Sequence, residues 1–326
     1  MPRPIIDTHC DLLTYLIREN ASIYNQKDIG CAVPHLKTGN VKLQVMAIFT
    51  PSQSLSHNMA LKESELFKGL REDQNEFYAV DRDNLDQVVS SEQIGMLAAI
   101  ENASGLCDEE LSLKDGFKNL ETIINNVGRL FYIGLTHHTE NRFGGGNYSA
   151  AGLKKDGKAL LDYLDKKRIA VDFSHTSDAL AYGILDHITK QGLDIPIIAS
   201  HSNYRPIYDH PRNLPDEIAK EIIRRKGLIG LNFVRAFVHP DQPNTLLEHL
   251  AHGIELGATD NVCFGADYFY HQDHPDKSRI PFYHTAHEDA SYYPDINQSV
   301  QAQFGEEVCD KLSYKNVLRF LKGLWG

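Results

Sequence analysis

Short apolar runs alternating with longer amphipathic stretches constrain this chain more than any other feature. Eight runs stand out: Pro4–Asp7, Leu43–Phe49, Ile94–Ile100, Leu130–Leu135, Ile169–Phe173, Pro196–Ser200, Leu228–Phe233 and Val262–Gly265. Several are apolar on both faces, as parallel strands covered by helices must be. Helical patterns fall between them. Leu180, Ile184, Leu185 and Ile188 mark one helix face, with Ser177 or Asp178 as N-cap. Pro215, Asp216 and Glu217 read as another helix start, with Ile218, Ile222 and Ile223 on its apolar side. Eight strand–helix units in 326 residues predict an α/β fold, a single (β/α)8 TIM-type barrel, with an open doubly wound sheet as the competing arrangement. No Pro/Ser-rich linker or long charge block divides the chain, so residues 1–326 are expected to form one domain.

A barrel of this kind gathers the C-terminal ends of its strands on one face, and that face carries the active site. Here those ends carry polar residues. His9 and Asp11 follow the first run, Glu101 ends the third, and His137 and His138 end the fourth. His175, His201 and Asp267 close the fifth, sixth and eighth. Each residue alone fits a structural role, such as a capped strand end for His9 and Asp11 or an ion pair for Glu101. Their convergence in one predicted mouth points to a metal site, since imidazole and carboxylate are the common ligand groups. Cys10, between His9 and Asp11, reads as a small buried hydrophobe facing the helices.

Three His-x-x-His pairs offer competing ligands. His249/His252 is expected on an exposed helix face, while His271/His274 and His284/His287 lie in the long segment from Asp267 to about Tyr293. That segment and Asn141–Lys155 are long enough to be functional loops. The triplet Gly144-Gly145-Gly146 lacks phosphate-loop spacing.

Composition narrows the partners. The chain has 33 Lys plus Arg against 44 Asp plus Glu, a net charge of −11. That balance argues against a nucleic-acid backbone and an anionic membrane surface. No apolar run approaches membrane-spanning length, and the N-terminus enters a strand-like run without a long apolar signal core. Five Cys without C-x-x-C spacing fit reduced thiols. The expected compartment is the cytoplasm.

Six segments resemble the membrane (renal) dipeptidase family of binuclear zinc peptidases, within the amidohydrolase-like barrels. They are IIDTHCDLL, AAIENASGL, GLTHHTEN, VDFSHTS, IIASHSNYRPIYDHPRNLPDE and CFGADYFY, and they run through nearly the whole chain in the family's order. The resemblance implies two zinc ions, or other divalent metals, held by His9, Asp11, Glu101, His175 and His201, with Glu101 bridging. It implies that His137 contacts the substrate carbonyl, that Arg212 grips the C-terminal carboxylate, and that Asp267 moves protons and holds the free amine. The implied reaction is hydrolysis of a small dipeptide by a metal-bridging hydroxide, with a D-residue accepted at the C-terminal position. It also implies a homodimer. The chain departs from the family at Ala103, at Arg142-Phe143-Gly144 and at Phe269, all in expected pocket loops. Other amidohydrolase-like activities (deacetylase, lactonase or metal-dependent deoxyribonuclease) and an inactive metal-binding scaffold share most of this ligand set.

Overall fold

A computed structural model describes residues 3–326. Its strands are β1 (Ile5–Cys10), β2 (Val41–Phe49), β3 (Phe77–Ala79), β4 (Ile94–Glu101), β5 (Leu130–Gly134), β6 (Ala170–Asp172), β7 (Ile197–Ile198), β8 (Ile229–Leu231) and β9 (Val262–Phe264). The sheet runs β7-β6-β5-β4-β2-β1-β9-β8, and its pairings are parallel. A bridge between Ala199 and Ile229 closes it, with Gly230 N donating to Ala199 O at 2.8 Å. All eight runs read from the sequence are the strands of this barrel. The short β3, which pairs with β4 outside the ring, has no counterpart among them.

The strands are buried on both faces, and the core has two layers. Inside the barrel, Ile6, Leu43, Val45, Leu97, Ala99, Phe131 and Ile198 pack together. Between strands and helices lies the larger cluster, which includes Met96, Ala98, Ile100, Leu120, Ile184 and Ile222. The helix Asp178–Gln191 starts as its sequence dictates, with Ser177 Oγ accepting from Leu180 N at 3.0 Å. Cys10 belongs to the outer layer, as expected. Among the described residues no helix is long and apolar enough to cross a membrane.

Two local features shape the mouth of the barrel. The first strand extends three residues further than its apolar run, so His9 lies inside β1. A register shift between Asp7 and Cys10 interrupts the two-residue alternation there. At the floor, Gly230 and Gly265 approach Ser200 O so closely that an added Cβ would lie 1.9 and 2.0 Å from it. Thr8 Oγ fills the same space, 2.6 Å from Ser200 O and 2.8 Å from Phe264 O.

Candidate metal centre

Glu101 is the last residue of β4. Leu97 and Ala99 of that strand face the barrel interior, so the strand period turns Glu101 inward at the mouth. Its two oxygens face different imidazoles. Oε2 lies 3.3 Å from His9 Nε2, whereas Oε1 lies 2.9 Å from His175 Nε2 and 3.5 Å from His201 Nε2. His137 Nε2 stands 3.9 Å from Oε1. Asp11 Oδ1 and Asp267 Oδ1 lie 3.9 and 3.7 Å from His9 Nε2. Asp11 arrives there from the cap of the short helix Leu12–Leu16, not from an extended chain.

The ligand atoms form overlapping triads, each within 4.8 Å. Two of them are His9, Asp11 and Glu101, and Glu101, His175 and His201. Two more, His9/His201/Asp267 and His137/His138/His175, share members with these.

Hydrogen bonds behind the rings set their tautomers. Tyr132 Oη donates to Thr8 O at 3.0 Å, so it accepts from His9 Nδ1 at 2.7 Å. Ser200 Oγ donates to Asp172 Oδ2 at 2.5 Å, so it accepts from His201 Nδ1 at 2.6 Å. His175 Nδ1 faces the acceptor Asn147 Oδ1 at 3.2 Å. In all three rings Nδ1 therefore carries the hydrogen and Nε2 presents a lone pair. His9 Nε2, His201 Nε2 and Asp11 Oδ1 are buried and have no hydrogen-bond partner among the described residues. Lone pairs opposed to carboxylate oxygens in a buried site repel each other, and a cation placed between them satisfies both sides. Three imidazoles with carboxylates suit zinc, and also manganese or iron. The residues present thus fit divalent metal.

Electrostatics point the same way. Burial pushes the Glu101 carboxyl up to about 8 and Asp267 up to about 7, and raises Asp11 well above the usual range. Burial also holds His137, His175 and His201 well below the usual imidazole range. Carboxylates in this cluster gain their charge only with a strong positive partner. Backbone strain collects here too. His175 (φ 66°), Asp267 (φ 65°) and Asn102 (φ 74°) occupy left-handed conformations without being glycine.

Supporting residues missed from the sequence are buried hydrogen-bonding groups. Asp7 accepts from His9 N and Ala266 N, each at 3.1 Å, and from Tyr293 Oη at 2.8 Å. Asp172 accepts from Ser174 N at 3.1 Å and from Ser200 N at 2.7 Å. Both aspartates brace the backbone two residues on, and this repeated Asp-x-polar spacing is the signal that could have found them. Asn232 Nδ2 donates to Asp267 Oδ2 at 2.8 Å.

Arg212 is buried beneath the site. Its Nη1 donates to Ser202 Oγ and its Nη2 to His201 O, each at 2.8 Å, while Nε has no partner among the described residues. A cavity of about 330 Å³ opens above the metal ligands. Asp11, Glu101, His137, His175 and Asp267 line its base; Phe49, Phe237, Phe269 and Phe282 line its walls. Phe269 thus adds an aromatic wall. Arg142 is turned to Asp156 and to the carbonyls of Asp108 and Leu111, a structural role.

The His-x-x-His pairs resolve differently. His249 is fully buried, contrary to the exposed face expected of it. Tyr204 N donates to its Nδ1, and its Nε2 donates to Val238 O, both on segments the helix pattern does not reveal. His252 pairs with Asp216. His274 reaches the cavity, whereas His284 bonds to His239 O and His287 is buried against Phe233. None of these joins a converging ligand group among the described residues.

Comparison with known proteins identifies relatives of this chain. The chain is 26% identical to an uncharacterized dipeptidase of Schizosaccharomyces pombe over 356 aligned positions, covering 98% of this chain and 80% of that one. It superposes on a dipeptidase AC, a metallopeptidase, with TM-score 0.85 at 20% identity, all of both chains being covered. It also superposes on a metallopeptidase from Rhodobacter sphaeroides, liganded with a phosphinate mimic of the dipeptide L-Ala-D-Ala, with TM-score 0.82 at 20% identity and full coverage of both. The model of the membrane dipeptidase family, peptidase family M19, matches residues 2–324, and the chain belongs to that family.

Proposed function

We propose that this protein is a dipeptidase that hydrolyses small dipeptides at a centre of two divalent ions, zinc being the first candidate. The observation that carries this reading is the division of Glu101. One oxygen faces His9, the other faces His175 and His201, and the Nε2 lone pairs of His9 and His201 lack hydrogen-bond partners among the described residues. His9, Asp11 and Glu101 would hold one ion, and Glu101, His175 and His201 the other. Bound there, such ions supply Lewis acidity toward a carbonyl and lower the pKa of water.

The chain's own groups would do the rest. His137, at the cavity base with Nε2 making no hydrogen bond among the described residues, would position the scissile carbonyl. Asp267 would hold the free amine and carry a proton to the leaving nitrogen. Its carboxyl lies at the cavity base and is oriented by Asn232, where it can take up and return a proton. Arg212 keeps unused N–H donors for the substrate carboxylate. A cavity of about 330 Å³ suits a dipeptide better than a folded protein. Acceptance of a D-residue at the second position is supported by the L-Ala-D-Ala mimic held by the Rhodobacter sphaeroides relative. Five unpaired, buried cysteines support a reducing, cytoplasmic compartment.

The test is release of free amino acids from L-Xaa-L-Yaa and L-Xaa-D-Yaa dipeptides, using zinc-loaded and chelator-treated protein side by side. Hydrolysis restricted to the loaded protein supports the reading. No release from any dipeptide by protein that has bound its metal overturns it.

A further inference from the structure

We propose that Arg279 selects substrates with an acidic side chain, so that the preferred class is a dipeptide containing Asp or Glu. This rests on the dipeptidase reading of the same cavity. Two arginines, Arg18 and Arg279, line that cavity and a third, Arg212, lies beneath it, and their surroundings differ. Arg212 is buried and hydrogen-bonded beneath the site. Arg18, at the rim, is ion-paired with Asp273 and lies over the Tyr270 ring at 4.2 Å. Arg279 lines the cavity half-buried, and among the described residues its side chain makes no hydrogen bond or ion pair.

The chain has acidic residues in excess, 44 against 33 basic ones, so partners for a guanidinium are abundant. Asp276, close by in sequence, turns one oxygen to Ser278 N and Ser278 Oγ, at 3.0 and 2.5 Å, and feels the Arg279 charge without pairing with it. The Arg279 guanidinium lies 5.2 Å from the centre of the Phe282 ring. Stacking on a ring face orients the planar fork and leaves its N–H edges for a carboxylate. The charge reaches the mouth: after burial and Arg212, Arg279 is a further cause of the lowered pKa of both His138 and His210.

A simple dipeptide brings one carboxylate, which the proposed mechanism assigns to Arg212. Arg279 is a cation separate from Arg212, on the wall of the cavity and without a hydrogen bond or ion pair among the described residues. It matches a second anionic group, and on a dipeptide that group is an acidic side chain. The aromatic walls lower the local dielectric and strengthen the attraction.

The test compares kcat/KM on matched pairs, Ala-Glu with Ala-Gln and Glu-Ala with Gln-Ala, each with L- and D-residues at the second position. The zinc-loaded protein is expected to favour the acidic member of at least one pair by about tenfold or more. Arg279→Gln should bring that ratio close to one, mainly through a higher KM for the acidic substrate, while Arg279→Lys keeps part of it. Arg279→Glu should move the preference toward Ala-Lys or Lys-Ala, which loss of structure would not do. A wild-type ratio near one overturns the inference alone, provided the neutral dipeptides are cleaved. A ratio that Arg279→Gln leaves unchanged does the same, as does an equal loss on acidic and amide substrates, which would make Arg279 a main-chain clamp. Failure of the wild-type protein on every dipeptide overturns the dipeptidase reading and the inference with it.

Discussion

Asn232 Nδ2 donates to Asp267 Oδ2 at 2.8 Å, and this contact leaves Asp267 Oδ1 turned toward His9. Asn232 is itself held, its Oδ1 accepting from Val234 N at 2.7 Å. The carboxylate is therefore oriented before substrate arrives. Asp267→Asn should keep the metal and the fold but lower kcat by about a hundredfold or more. Turnover kinetics with parallel metal analysis checks this, and near-normal turnover would remove the proton-transfer role.

Tyr132 fixes the tautomer of His9 through its hydroxyl, 2.7 Å from Nδ1. Tyr132→Phe keeps the ring and removes the hydrogen bond. Metal affinity should fall roughly 10–100-fold, as is usual when the partner behind a ligating histidine is lost. Competition with a chelator measures it, and unchanged affinity would contradict the role given to Tyr132.

Arg212→Ala should lower kcat/KM for dipeptides far more than for the corresponding dipeptide amides. The variant also leaves Ser202 and His201 O without their donors, at a cost of about 1–3 kcal/mol in stability. That second effect weakens both substrates alike, so the ratio between them isolates the clamp. Equal losses on both would show that Arg212 supports the site without touching the carboxylate.

His249 predicts a pH dependence of stability. Its Nδ1 accepts from Tyr204 N and its Nε2 donates to Val238 O, so both nitrogens are satisfied in the neutral ring. Burial pushes its pKa down to about 4. The unfolded chain, with an ordinary imidazole near 6.5, binds the proton first as pH falls. The contribution is fully present above about 6.5 and is lost toward pH 4, totalling roughly 3 kcal/mol. Metal ligands titrate in both wild type and variant, so comparison with His249→Gln isolates this residue. Denaturant unfolding across pH 4–7 should show a shallower slope for the variant, and parallel slopes would refute the assignment.

Much of this was legible because chemistry and periodicity coincide. The barrel strands are buried on both faces, so their apolar runs stand out without tertiary information. Glu101 follows an apolar strand whose alternation fixes its direction. His175 and His201 each follow a strand and a serine, and both reach the centre. The rest depended on contacts between distant segments. Tyr132 meets His9 across the barrel, Asn147 meets His175 from a long loop, and Asn232 meets Asp267 from just beyond β8. His249 looked like a surface histidine because Tyr204 and Val238, which cover it, come from outside its helix. The free guanidinium of Arg279 could not be told from the paired one of Arg18 until the fold brought Asp273 to only one of them.

The central claim is that one carboxylate, Glu101, serves two ions. The most direct measurement is elemental analysis of metal per chain in the dialysed wild-type protein and in Glu101→Ala. The account predicts about two divalent ions per wild-type chain and fewer than one in the variant, because both triads lose a member together. A single ion in the wild type, or two retained by Glu101→Ala, would contradict it.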